Sequence, residues 1–225
     1  VTALFITATG TDIGKTFVSA GLIRALRAHG RSVDAVKPVA SGFDMGALAT
    51  SDTGVLLSAL GRPLTAAEAV ALSPWRFAAP LSPDMAAARE HANLDFDALV
   101  TWSRGRIAAR RDVLLVEGVG GVMTPVDSSH TVLDWVAALG LPVLLVAGSY
   151  LGTISHTLTA LDVLACRGLS VVSVIVSETP GSPVDLLETV TTLRGFAPTV
   201  EIMALPRLPH RHSDHQVLDT ISSRL

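Results

Sequence analysis

Thr7-Ala8-Thr9-Gly10-Thr11-Asp12-Ile13-Gly14-Lys15-Thr16 is the stretch that decides the fold of this 225-residue chain. An apolar run, residues 3–6, leads into it, and a helix-forming run, residues 17–28, leaves it. A strand, a turn of small residues closing on Gly-Lys-Thr, and a helix together describe a phosphate-binding loop. Backbone N–H groups of the turn and of the helix start converge on one cavity, and the helix dipole favours negative charge there. Lys15 adds a point charge that reaches the outer phosphates, and Thr16 offers a hydroxyl to a magnesium ion. The standard pattern wants glycine at position 9; Thr9 stands there and Gly10 follows one residue later.

Outward from the loop, a helix is expected over 15–29, stopping at Gly30. A strand over 32–37 follows and Pro38 ends it. Lys37-Pro38-Val39-Ala40-Ser41-Gly42 then makes a turn headed by a lysine. It lies at the carboxyl end of a strand, on the edge where open α/β sheets bind ligands. Ser51 caps a helix that carries Asp52 in its first turn. Asp52 either complements the helix dipole or serves a magnesium ion, and the residues leave both readings open. Residues 61–83 form a long connection with Trp75, Arg76 and Phe77 in it, and loops of that length are often functional. Ser82-Pro83-Asp84 opens a helix over 85–91, and Asn93-Leu94-Asp95 opens another that runs to about residue 110.

The apolar run 112–116 delivers Glu117 to a strand tip, followed by Gly118-Val119-Gly120-Gly121. A carboxylate there resembles the second metal-binding element of phosphate-loop enzymes. The glycines signal a ligand close to the backbone. A helix over 131–139 ends at Gly140, and a strand covers 142–147. Leu151-Gly152-Thr153-Ile154-Ser155-His156 opens a helix to 167, whose first N–H groups could hold a carboxylate. His156 is read as a capping or surface histidine. A strand over 169–176 ends at Ser177-Glu178, a helix covers 183–194, and a last strand over 200–205 precedes Pro206-Arg207-Leu208. A helical tail starts near residue 213. The crowd His210-Arg211-His212-Ser213-Asp214-His215 matches no common zinc spacing, so no metal site is expected there.

The sum is six or more buried strands alternating with helices. That predicts an α/β fold in one domain over 1–225: a three-layer, doubly wound, mostly parallel sheet with helices on both faces and right-handed crossovers. The composition agrees, because 49% apolar and 16% charged residues suit a sheet covered on both sides. A net charge of -3 gives no electrostatic case for nucleic acid. No apolar stretch reaches the length of a membrane span. The short apolar start has no basic lead and is a strand, not a secretion signal. Cys166 is the single cysteine, which excludes an internal disulfide and fits a reducing compartment. Its place in an apolar helical pattern predicts buried packing. A soluble cytoplasmic protein is expected.

Six motifs occur in a telling order: Gly-Lys-Thr at 14–16, Lys-Pro-Val-x-Ser-Gly at 37–42, Ser-Asp at 51–52, Ala-Pro-x-Ser-Pro at 79–83, Val-Glu-Gly-x-Gly-Gly at 116–121 and Leu-Gly-Thr-Ile at 151–154. Together they resemble the dethiobiotin synthetases, ATP-dependent ligases of biotin synthesis, over essentially the whole chain. The resemblance implies closure of a ureido ring from 7,8-diaminononanoate, carbon dioxide and MgATP, through a carbamate and its phosphoric anhydride. It makes Lys37 the active-site lysine, with Lys15 and Thr11 beside it, and gives Thr16, Asp52 and Glu117 to magnesium. Asp12, Ile13, Gly14, Lys15, Thr16, Phe17, Gly118, Val119 and Gly120 then surround nucleotide or substrate, and Ser41 meets the diamine or its carbamate. Ser177, Pro206, Arg207 and Leu208 fall where the family lines its base pocket. The family is a homodimer, so Leu151, Gly152, Thr153 and Ile154 of one subunit would bind the substrate carboxylate in the other's site.

Three departures from the family pattern stand out. Ser155 replaces a frequent asparagine, Asp84 replaces the usual histidine after Ser-Pro, and Ser177-Glu178 replaces an asparagine that reads adenine. The last means that another triphosphate could serve. A partitioning-type ATPase, a dimeric switch, is the competing reading. That class carries an extra lysine early in its loop, and here none precedes Lys15. A cobyrinate-amidating enzyme would need a glutamine-hydrolysing domain, for which 225 residues leave no room.

Overall fold

Alternation in the opening strand sets the layers. In β1 (Ala3–Ala8), Leu4, Ile6 and Ala8 turn to one side and Ala3 and Phe5 to the other, and all of them are buried. The computed structural model describes residues 3–207 and 216–225. After β1 come α1 (Lys15–Ala28), β2 (Val33–Val36), β3 (Val39–Ser41), α2 (Asp52–Leu60), α3 (Ala66–Leu72) and β4 (Trp75–Phe77). Then follow α4 (Pro83–Arg89), α5 (Phe96–Ala108), β5 (Val113–Glu117), α6 (Val132–Leu139) and β6 (Val143–Gly148). The chain finishes with α7 (Thr153–Cys166), β7 (Val171–Ser177), α8 (Leu186–Phe196), β8 (Ile202–Leu205) and α9 (Gln216–Ser222).

Six strands form one sheet in the order β2-β5-β1-β6-β7-β8, and their pairings are parallel. The doubly wound architecture expected from the sequence is therefore present. One face is covered by α1, α2 and α9 through Val18, Leu22, Leu26, Leu56, Leu57 and Leu218. The other is covered by α5 to α8 through Leu99, Trp135, Val136, Leu164 and Leu193. Trp135 packs edge-on against Phe5, with ring centroids 4.9 Å apart. Its indole N–H donates to Ser103 Oγ, so the largest buried side chain keeps its polar atom satisfied. Among the described residues, no helix is long and apolar enough to cross a membrane.

Two expectations need correction. Residues 61–83 are not one loop, because they contain α3 and β4. β4 pairs in parallel with β3, matching Val39 to Trp75 and Ser41 to Phe77 in a two-stranded ribbon. Three-residue strands show no period of their own, and a pairing so distant in sequence leaves no local mark. Residues 45–50 likewise wind into a short 3-10 turn, begun by Asp44 accepting from Gly46 N. The second correction is Cys166, which is exposed and not buried. The inward stripe of α7 is Thr153, Thr157, Ala160 and Leu164. Cys166 comes two residues later and falls off that face.

Candidate active site

The loop between β1 and α1 uses two left-handed backbone positions, Asp12 at φ 58° and Gly14 at φ 104°. Asp is among the residues that tolerate this conformation, and glycine does so without strain. A Cβ at position 14 would also sit 3.1 Å from Ser177 Oγ, so the end of β7 presses directly on the loop. From the other side, a Cβ at Gly121 would come within 3.1 Å of Gly10 N. The turn after β5 is hooked on by Gly118 N and Val122 N, which donate to Ile6 O and Ala8 O of β1. Parallel strands with local glycine turns thus bring 10–16 and 117–121 to one rim.

Four charged groups gather there. Lys15 is buried, and its Nζ donates to Gly10 O at 3.1 Å. Lys37, delivered by the end of β2, is 4% exposed and Glu117, at the tip of β5, is 1% exposed. Lys37 Nζ lies 2.7 Å from Glu117 Oε1 and 2.7 Å from Asp52 Oδ2. Thr16 Oγ1 donates to the same Glu117 Oε1 at 2.7 Å, and Ser19 Oγ donates to Oε2 at 2.5 Å. Asp52 sits in the first turn of α2, and Ser51 caps that helix by accepting from Gly54 N. Dipole complement and lysine partner are therefore both true of Asp52.

Burial acts on each charge, and its neighbours decide the outcome. Burial and the nearby Lys37 ammonium lower the Lys15 pKa to about 8, against the pull of Glu117 and Asp52. Burial also opposes the Lys37 charge, but Glu117 and Asp52 outweigh it and raise its pKa above the ordinary lysine value. Burial would raise the Asp52 pKa, yet the Lys37 ammonium beside it, helped by Lys15, holds it below the carboxylate range.

A cavity of about 740 Å³ opens beside this network. Thr11, Asp12, Gly14, Lys15, Thr16, Phe17, Lys37, Ser41, Asp52, Val119 and Gly120 line it, so half of the candidate residues meet in one space, with Glu117 buried behind Lys37 and Thr16. Ser82 of the Ala-Pro-x-Ser-Pro motif also lines it, as do Phe43, Leu81 and Thr124, which were not singled out in the sequence. Ser41 Oγ is shielded from solvent and has no hydrogen-bond partner among the described residues. A buried hydroxyl without a partner is costly unless something else satisfies it.

Other candidates lie outside the cavity. Ile13 packs against the core on the α1 face. Gly118 has Phe5 against it, with a Cβ there meeting the ring at 2.9 Å. Ser177 borders the back of the phosphate loop, and Glu178 Oε2 accepts from Arg207 N at 2.7 Å, next to Pro206. Leu208 and the residues 210–215 lie outside the described residues. Leu151, 86% exposed, and Gly152 precede α7, whose Ile154 leans on the core. The Thr153 hydroxyl is already used, donating to Gly148 O at 2.6 Å. Tyr150 Oη and His156 Nδ1 are 3.0 Å apart on the surface, so His156 is the surface histidine expected. Asp84 is in the first turn of α4, behind Ser82 of the cavity wall.

Solved structures share the architecture. The MinD cell division protein of Aquifex aeolicus superposes with a TM-score of 0.55 over 100% of this chain and 96% of its own, at 14% identity. A ParA family ATPase from Chlorobium tepidum gives 0.50 over 92% and 85%, at 13% identity. With the loop at 7–16, this fold defines a phosphate-loop nucleoside-triphosphatase class, and an AAA domain profile matches residues 2–213. Sequence relatives are nearer. The ATP-dependent dethiobiotin synthetase BioD of Phenylobacterium zucineum is 48% identical over 223 residues, 98% of this chain and 95% of that protein. Those of Acidiphilium cryptum and Caulobacter vibrioides are 51% and 50% identical, over 82% and 91% of this chain and 83% and 92% of theirs. The chain belongs to the ATP-dependent dethiobiotin synthetase family.

Proposed function

We propose that this protein closes the ureido ring of dethiobiotin from 7,8-diaminononanoate, carbon dioxide and ATP. The observation that carries the proposal is the bridging of Asp52 and Glu117 by Lys37 beside the phosphate loop, in a chain of this family. One amine adds to carbon dioxide and loses a proton, giving a carbamate. A carbamate oxygen attacks the γ-phosphorus of ATP, and ADP leaves with the electrons of the broken P–O bond. The second amine attacks the carbonyl carbon of the anhydride. The C–O bond breaks, phosphate leaves, and the ring closes with loss of a proton.

Carbamate and triphosphate are both anions, so the middle step needs positive charge fixed where they meet. Lys15 and Lys37 supply it, and the loop N–H groups hold the phosphates. An arriving triphosphate gives Lys15 the countercharge it lacks and keeps it protonated. Thr11 lines the same space, and Ser41 offers its unused hydroxyl to the diamine or its carbamate. Thr16, Asp52 and Glu117 fit magnesium: two carboxylates already converge on one cation, the Lys37 ammonium, and hard oxygen donors so few leave room for phosphate and water. Magnesium bound there would neutralise phosphate charge. The base would lie toward Ser177, Pro206 and Arg207, where a serine in place of an amide side chain leaves other triphosphates usable. A homodimer would bring Leu151, Gly152, Thr153 and Ile154 of a second copy to the far end of the diamine.

The test is incubation of the purified protein with the diamine, bicarbonate, magnesium and each nucleoside triphosphate in turn. Dethiobiotin should form with one phosphate released per ring when ATP is supplied. Phosphate release that ignores the diamine, with no ring product from any triphosphate, would overturn the proposal and favour an ATPase switch.

A further inference from the structure

We propose that Ser19 is a positioning residue for Glu117, fixing one carboxylate oxygen so that the other stays where Thr16 and Lys37 meet it. Ser19 lies one turn past Lys15 on α1 and is fully buried. Its Oγ donates to Glu117 Oε2 at 2.5 Å, while Oε1 accepts from Thr16 and Lys37, each at 2.7 Å. The two oxygens of one buried carboxylate are thus divided between an inner tether and the two side chains, Thr16 and Lys37, that line the cavity.

Three features single out this hydroxyl. The surrounding face of α1 is apolar, with Val18, Leu22, Ile23 and Leu26 all buried. A position that only had to be filled would suit alanine, the better helix former. Serine inside a helix commonly turns its hydroxyl back to the carbonyl one turn earlier; Ser19 instead reaches across to β5. The bond is also charge-assisted, the kind that holds geometry best.

The tether matters when the site fills. Lys37 now draws Glu117 from the same side as Thr16. A divalent cation arriving with the nucleotide competes with that ammonium for Oε1. If Lys37 swings toward a carbamate, an untethered glutamate can follow it. Glu117 held through Oε2 cannot, and Oε1 remains presented. This rests on the proposed reading that the site takes a magnesium–nucleotide complex. Groups that orient a metal's ligands typically change its affinity by about 10–100-fold.

The test uses Ser19→Ala and Ser19→Cys, the second keeping the volume filled but offering only a weak donor. Magnesium is titrated by calorimetry into each protein with a non-hydrolysable ATP analogue, and the analogue alone is titrated without metal. Both variants should need about 10-fold more magnesium while binding the metal-free analogue as the parent does. Thermal melts report the fold, and Ser19→Cys carries the test if the alanine variant is damaged. Unchanged magnesium affinity in both variants, or a loss in Ser19→Ala that Ser19→Cys restores, would overturn the positioning role alone. A parent protein that shows no magnesium-dependent nucleotide binding would remove the reading beneath it, and the proposal with it.

Discussion

The two ends of the sheet treat charge in opposite ways. At the amino ends of β2 and β5, Arg31 grips Asp112 through two hydrogen bonds of 2.8 and 2.6 Å, and Arg106 meets Asp34 at 2.6 Å. These side chains are roughly a third exposed. Exposed pairs of this kind contribute little, because water screens them and ordering long side chains costs entropy. At the carboxyl ends, Lys15, Lys37 and Glu117 are buried. Dehydrating such charges is expensive, and breaking one partner leaves the rest uncompensated. The outer pairs pin loops; the inner network holds three buried charges, with the exposed Asp52 at its edge, beside a cavity, as the proposed chemistry on anions requires.

Breaking the inner network should have the largest effect. Lys37→Ala should lower dethiobiotin formation by at least about 10²–10³-fold while nucleotide still binds. Steady-state turnover beside calorimetric titration reads both, and full turnover would dissolve the contrast between the two ends. Glu117→Gln and Asp52→Asn should raise the magnesium requirement by about 10-fold or more, with the buried Glu117 the more sensitive. Flat metal titrations would make those carboxylates bystanders.

Stability should show the cost of the inner rim directly. The folded Lys15 pKa of about 8 lies below the ordinary 10.5, so the unfolded chain binds the extra proton between those values. Stability from this group therefore rises with pH across that window, and below it the buried ammonium is a liability. Lys15→Met should be more stable than the parent at neutral pH, by something on the order of 2–3 kcal/mol. The gap should close as pH climbs from about 8 to 10.5. Chemical denaturation at several pH values measures it, and a gap that ignores pH would show that Lys15 is not strained. Smallest of all, Arg31→Ala should leave turnover unchanged and barely move the melting midpoint.

Much of this was legible in the chain because strand ends and glycine turns are local. Lys15, Lys37 and Glu117 each follow or close an apolar run, and parallel strands carry such positions to one edge. Asp52 was ambiguous because a carboxylate that complements the helix dipole and one that serves a magnesium ion both stand in the first turn of a helix. The β3–β4 ribbon and the Phe43, Leu81 and Thr124 walls were not legible, since they depend on pairing between distant segments. Ser19 had a faint signal, a serine on an apolar helix face four residues past Lys15. Its partner across the molecule had none.

The central claim is that a carbamate oxygen becomes bonded to the transferred phosphorus. Single-turnover reaction with ¹⁸O-labelled carbon dioxide, over times short against its exchange with water, follows that oxygen. The account predicts that the released phosphate carries one labelled oxygen. Phosphate whose new oxygen comes entirely from solvent water would contradict it.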